Sequence, residues 1–222
     1  MAFTGFGEHA IDFYDGIEAD NSKSYWEDNK HLYASDVRAP MEELLSELAP
    51  EFAEETSRVT VFRPYRDVRF ARDKTPYKTH CGGVIEYGRG AGAYYVEVGP
   101  PGLRVGGGCF HLQADQLARF RTAVDEDVHG KVLADIVARL ERAGWELKGD
   151  RLKSRPRGVD PDHPRIDLLR HRSLYVMRVW PPDDALHERE TVNRVRKAFR
   201  ALRPINEWAR DHVGVSEIPR RR

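Results

Sequence analysis

Only Gly99-Pro100-Pro101-Gly102 separates the β-rich run Tyr94-Tyr95-Val96-Glu97-Val98 from the next one, Leu103-Arg104-Val105. Parallel neighbours need a crossover of about a dozen residues or more, so these two runs can pair only antiparallel. Two further runs, Val59-Thr60-Val61-Phe62 and Gly83-Val84-Ile85-Glu86-Tyr87, precede them, and glycine-rich turns punctuate the stretch. Residues 58–112 therefore read as an antiparallel β-meander, and the alternating run from Ser173 to Trp180 supplies a strand that returns to it.

On either side of the meander the apolar period changes from two to about 3.6 residues. Ala10, Phe13, Tyr14 and Ile17 stand at i, i+3, i+4 and i+7, and Met41, Leu44, Leu45, Leu48 and Phe52 repeat that spacing. Trp26, Asn29, Lys30 and Tyr33 mark a helix between them that is expected to stop before Pro40, because proline disfavours helical geometry in the residue before it. Val132, Leu133, Ile136, Val137 and Leu140 mark a helix after the meander, and Val192, Val195, Phe199 and Leu202 a last one. The expected architecture is one α+β domain over residues 1–222: helical over 1–57, β-meander over 58–112, helices and the returning strand over 113–222. Its mostly antiparallel central sheet, of about four to six strands, is flanked by N-terminal and C-terminal helices.

At 222 residues the chain lies near the upper size for one hydrophobic core, and its 40% hydrophobic content argues against global disorder. No apolar run approaches the roughly 20 residues that span a bilayer. Met1-Ala2-Phe3-Thr4-Gly5 lacks the basic and apolar regions of a secretory leader, so no membrane partner is expected and the expected location is the cytoplasm. Lys+Arg and Asp+Glu both number 36, and a net charge of zero removes the general attraction to nucleic acid that a basic protein has. The charge is nevertheless segregated: residues 1–57 hold fourteen acidic and three basic side chains, residues 58–80 seven basic and two acidic, residues 194–222 nine basic and three acidic. The simplest use of that pattern is that the acidic N-terminal helices neutralise the basic segments.

The densest chemistry lies between Phe62 and His80, where Arg63, Arg66, Arg69 and Arg72 recur every third residue around Asp67 and Asp73. If this piece is extended, Arg63, Asp67 and Arg69 share a face and Arg66 takes the other. Guanidinium forks grip phosphate or carboxylate bidentately, and a neighbouring aspartate can hold a fork in orientation. Lys74 and Lys78 add point charge, and Tyr77 a hydroxyl donor. The expected ligand-binding set is Arg63, Arg66, Asp67, Arg69, Asp73, Lys74, Tyr77 and Lys78. The expected ligand is an anionic, phosphorylated small molecule or nucleotide, bound with or without catalysis; no cofactor is assigned. Two rival readings stand beside it. In a non-enzymatic interaction or scaffold domain the same residues form an internal ion-pair network tying the sheet to the acidic helices, and breaking a buried pair with Arg69→Ala costs about 3–5 kcal/mol. Nucleic-acid binding through Arg63 to Lys78 and the basic tail ranks third, on the zero net charge.

The segment resembles the signature of a sparsely distributed, mainly bacterial family known as domain of unknown function 2461: Arg-x-x-Arg-Asp-x-Arg-Phe, then Asp-Lys-x-x-Tyr close behind. Arg63, Arg66, Asp67, Arg69, Phe70, Asp73, Lys74 and Tyr77 stand at the matching places. Asn21, Trp26, Asn29, Lys30 and Tyr33 are similar too, as are Tyr94-Tyr95-Val96 and the Gly106-Gly107-Gly108 turn, whereas Asn21-Ser22 departs from the paired asparagines of relatives. The resemblance implies that the motif matters, and brings no activity with it.

Weaker constellations carry less. His80, Cys81, Cys109 and His111 could meet across the meander as zinc ligands, but adjacent His80 and Cys81 point to opposite faces of a strand and no Cys-x-x-Cys occurs, so no metal site is expected. A Cys109 nucleophile paired with His111 or His80 has no local signature. Gly88, Gly90, Gly92 and Gly106 to Gly108 form no dinucleotide fingerprint and read as turn glycines. Arg194, Arg196, Lys197, Arg200 and Arg203 interleave with the apolar face of the last helix and read as its solvated side.

Overall fold

The computed structural model of the chain describes residues 2–88 and 90–219. Helix α1 (Ala10–Ala19) buries Ala10, Phe13, Tyr14 and Ile17, the face its spacing foretells. Helix α2 (Lys23–Leu32) opens on Ser22, whose hydroxyl accepts the Tyr25 N–H at 3.1 Å. It continues through a π-helical turn, Tyr33–Arg38, into α3 (Ala39–Phe52), which corrects the expected stop before Pro40. Pro40 stands in the first turn of α3, where a missing N–H is tolerated, and the wider turn ahead of it accommodates the ring.

Strands β1 (Ser57–Val61), β2 (Cys81–Tyr87), β3 (Ala93–Gly99), β4 (Gly102–Cys109), β5 (Glu146–Lys148) and β6 (Leu174–Trp180) form one sheet in the order β1-β2-β3-β4-β6-β5. Every neighbouring pair is antiparallel, as the short connections require. Helices α4 (Ala114–Asp125), α5 (Asp127–Arg142), α6 (Ile166–Leu169) and α7 (Glu190–His212) complete the α+β fold. Gly99 faces Gly102 across the Pro100-Pro101 turn, and the register that follows sets Glu97 opposite Arg104. Gly102 has φ of 96°, a left-handed geometry that glycine adopts without strain.

Alternation gives the sheet two unlike faces. One buries Ile85, Tyr94, Val96, Val105 and Val176 beneath the helices, with Tyr94 packed 5.1 Å from Phe52 of α3 and 4.8 Å from Phe199 of α7, ring centre to ring centre. The other carries the cross-strand row Thr60, Val84, Tyr95, Gly106, Met177 and Glu146.

The acidic N-terminal segment does neutralise a basic one, at the tail. Glu47 pairs with Arg189 at 2.6 Å and Arg196 at 3.2 Å, Glu51 with Arg200 at 2.6 Å, and Glu54 with Arg210 at 2.5 Å. Arg194 is taken by Asp183 at 2.8 Å. The cations of α7 are thus largely committed within the fold, beside the face that buries Val192, Val195, Phe199 and Leu202 and packs Phe199 on Phe52 of α3. Among the described residues no helix is long and apolar enough to cross a membrane.

Candidate functional site

Between β1 and β2 the chain leaves the sheet and folds back on itself. Tyr65 and Tyr77 form an isolated antiparallel bridge, with the Arg66 N–H donated to the Pro76 carbonyl and the Lys78 N–H to the Pro64 carbonyl, each at 2.8 Å. Neither proline has an N–H with which to extend this ladder. The signature is therefore a loop rather than an alternating strand, and its charges pair by loop geometry.

The loop is tied to the N-terminal helices by neutral contacts. The Asn21 carboxamide, just beyond α1, accepts the Tyr77 N–H at 2.9 Å and donates to the Tyr77 carbonyl at 3.1 Å. The Tyr77 ring, 4% exposed, stacks on Trp26 with centroids 4.6 Å apart and planes 10° apart. Tyr77 is thus an anchor, and burial first, with Tyr65 and Glu27 after it, raises its hydroxyl above the ordinary tyrosine range.

Arg66 Nη1 donates to Asp73 Oδ2 at 2.5 Å, to the Thr75 carbonyl at 3.2 Å and to the Thr75 hydroxyl. The Thr75 N–H first, and the Arg66 guanidinium after it, bring the Asp73 carboxyl down to about 2. Asp67 accepts from Arg69 Nε at 3.0 Å and Nη2 at 2.7 Å, and that fork is the main cause of its own fall to about 2. Lys74 Nζ donates to the Val68 carbonyl at 2.9 Å. Lys78 Nζ stands 5.3 Å from the centre of the Phe62 ring.

Arg66, Asp67, Asp73, Tyr77 and Lys78 line one cleft of about 790 Å³, together with Ile17, Glu18, Asn21, Thr75, Thr79 and His80. Arg63, Arg69 and Lys74 lie outside its lining. Both arginine–aspartate pairs close inside the loop, so the expected network from sheet to acidic helices is replaced by the Asn21 and Trp26 contacts. Arg69 is also 77% exposed at its side chain, and an exposed pair is worth about 0–1 kcal/mol, so the larger loss expected of a buried pair does not apply to Arg69→Ala. Phe70, 97% exposed, has no packing that accounts for it.

Residues 9–208, a span that contains this loop, match the family described as conserved hypothetical protein (DUF2461). The chain belongs to that family. No curated protein matches it.

This DUF2461 chain has a second concavity, of about 760 Å³, on the sheet face away from the helices; its lining comes from strands and the loops beside them. At one end Glu97, 5% exposed, accepts the Tyr95 hydroxyl at 2.5 Å and Arg104 Nη1 at 2.6 Å, with His80 Nε2 3.7 Å away. Burial lowers the His80 pKa, and Glu97 opposes the shift. This cluster escapes a reading confined to the signature, yet its signal is present: the Gly99–Gly102 turn sets Glu97 opposite Arg104, and period two puts Tyr95 beside Glu97 on one face.

Cys81 and Cys109 are buried, and burial pushes both thiols up to about 12, far from the thiolate a nucleophile requires. Among the described residues no three His, Cys, Asp or Glu side chains are grouped to hold a metal ion.

Proposed function

We propose that the signature loop of this DUF2461 protein binds the phosphate group of a small molecule. The observation that carries this is the pair Arg63 and Lys78. Among the described residues neither has a carboxylate at ion-pair distance, and Lys78 is held below the ordinary lysine range, first by burial and then by the like charge of Arg63. Two cations that oppose each other's charge are both relieved by one anion. Arg66 adds an aimed fork, since Asp73 and Thr75 fix its direction at the cleft. In this reading Arg63, Arg66 and Lys78 meet the ligand, Asp67 and Asp73 orient the arginines, and Arg69, Lys74 and Tyr77 shape the loop.

Isothermal titration with pyrophosphate and with sugar phosphates tests it on the wild type, Lys78→Ala and Arg63→Ala. A hydrogen bond to a charged group contributes about 1.5–3 kcal/mol, so each substitution is expected to weaken binding about 10- to 100-fold. A folded wild-type chain that takes up no phosphate compound overturns the proposal. The scaffold alternative is favoured by one observation, the closure of both arginine–aspartate pairs within the loop. It predicts that Arg66→Ala loosens the loop while no phosphate compound stabilises the protein.

A further inference from the structure

We infer that the ligand held by the signature loop carries a flat heteroaromatic ring seated on the open sheet face, so that its chemical class is a nucleoside phosphate. This rests on the phosphate reading above and adds the half of the ligand that the loop does not touch.

The cleft and the groove are contiguous. Lys78 lines the cleft while standing 5.3 Å from the centre of Phe62, a groove residue. His80 lines the cleft while its Nε2 lies 3.7 Å from Glu97 in the groove. A phosphate at Lys78 is therefore about one sugar away from a ring placed against Phe62.

The groove is built to stay open. Gly82 and Gly106 lie beneath two of the side chains that line it: a Cβ on Gly82 would meet the Tyr95 hydroxyl at 2.7 Å, and one on Gly106 would collide with Met177. Tyr95 and Met177 thus lie across the glycines, and it is these two side chains that line the groove there. Four rings cross the face, with Phe62 to Tyr95 at 6.3 Å, Tyr95 to Phe110 at 5.5 Å, and Phe110 to Tyr175 at 4.4 Å with their planes 27° apart. Such a row favours a flat π-system, and the volume of about 760 Å³ falls within the range of small-molecule sites.

One polar feature selects a heterocycle over a hydrocarbon ring. Arg104 Nη1 is fixed on Glu97, but Arg104 Nε is buried with no hydrogen-bond partner. The Arg104 side chain as a whole lines the groove and is 37% exposed, so the accessible N–H groups of its guanidinium can donate to a ring nitrogen or carbonyl oxygen.

Dissociation constants for ribose 5-phosphate, the four common nucleoside 5′-monophosphates and the unphosphorylated nucleosides test the inference, with Phe62→Ala and Phe110→Leu as variants. At least one nucleotide is expected to bind about tenfold or more tightly than ribose 5-phosphate, the advantage that base stacking on an aromatic side chain supplies. Phe62, 37% exposed, is no core residue, so Phe62→Ala keeps the fold and loses that advantage. Phe110→Leu, which lacks the contact with Lys78, does the same while ribose 5-phosphate binding stays unchanged. Equal binding of ribose 5-phosphate and all four nucleotides overturns the ring site and leaves the phosphate site standing. Failure of every phosphate compound removes both. Tighter, steeply salt-dependent binding of a single-stranded oligonucleotide overturns the inference in favour of a nucleic-acid surface.

Discussion

Asn21 holds Tyr77 on both sides of its backbone, accepting its N–H at 2.9 Å and donating to its carbonyl at 3.1 Å. A side chain here does what a neighbouring strand would do, and it fixes the returning limb of the loop, with Lys78 and His80 behind it, to the end of α1. Asn21→Ala removes both bonds, each worth about 0.5–1.5 kcal/mol net, so a loss of about 1–3 kcal/mol is expected in urea denaturation. Amide exchange at Tyr77 should rise before exchange in β2. If Tyr77 stays as protected as β2 in the variant, Asn21 is not the clamp.

Asp73 and Asp67 make the loop sensitive to acid. Both carboxyls sit at about 2 in the fold against an ordinary 3.8. Because the folded values lie below the unfolded one, the linked stability is present above about pH 4 and is lost as pH falls through about 2. The two differ in cause, since the Thr75 N–H leads at Asp73 and the Arg69 side chain leads at Asp67. Carboxyl titration by NMR is therefore expected to move Asp73 only part of the way toward 3.8 in Arg66→Ala, and Asp67 most of the way in Arg69→Ala. A full return of Asp73 in Arg66→Ala would show that the backbone bond contributes nothing.

The elements legible in the sequence were those with strong periodicity or forced geometry. The antiparallel meander follows from connections too short for a crossover, and the buried face of α7 from Val192, Val195, Phe199 and Leu202 at helical spacing. Strand β5 has three residues and no alternation to read, and α4 has a weaker apolar stripe than the α5 pattern beside it. Continuation of the helix past Pro40 was hidden because a π-turn has no composition signature. In the loop, residue types announced charge pairing, but which arginine meets which aspartate depends on the Tyr65–Tyr77 bridge, a tertiary fact. The Glu97 cluster was encoded by turn and period, and lay outside the stretch that charge density made conspicuous.

Gly82 offers the sharpest check on how the open face is built. A Cβ there would stand 2.7 Å from the Tyr95 hydroxyl and 3.1 Å from its ring carbons, with no backbone atom among these closest neighbours. In Gly82→Ala the ring must swing away, and it then gives up the 2.5 Å bond to Glu97, whose buried carboxylate keeps Arg104. Overpacking of this kind costs about 1–3 kcal/mol. Burial, and Glu97 after it, raise the Tyr95 hydroxyl well above its ordinary 10.0, so a displaced ring should titrate nearer that value in tyrosinate absorbance. Tyr95→Phe removes the atom that collides. The loss in the double variant Gly82→Ala/Tyr95→Phe is therefore expected to be smaller than the sum of the two single losses. Strict additivity would mean that Gly82 is small for some reason other than the tyrosine lying across it.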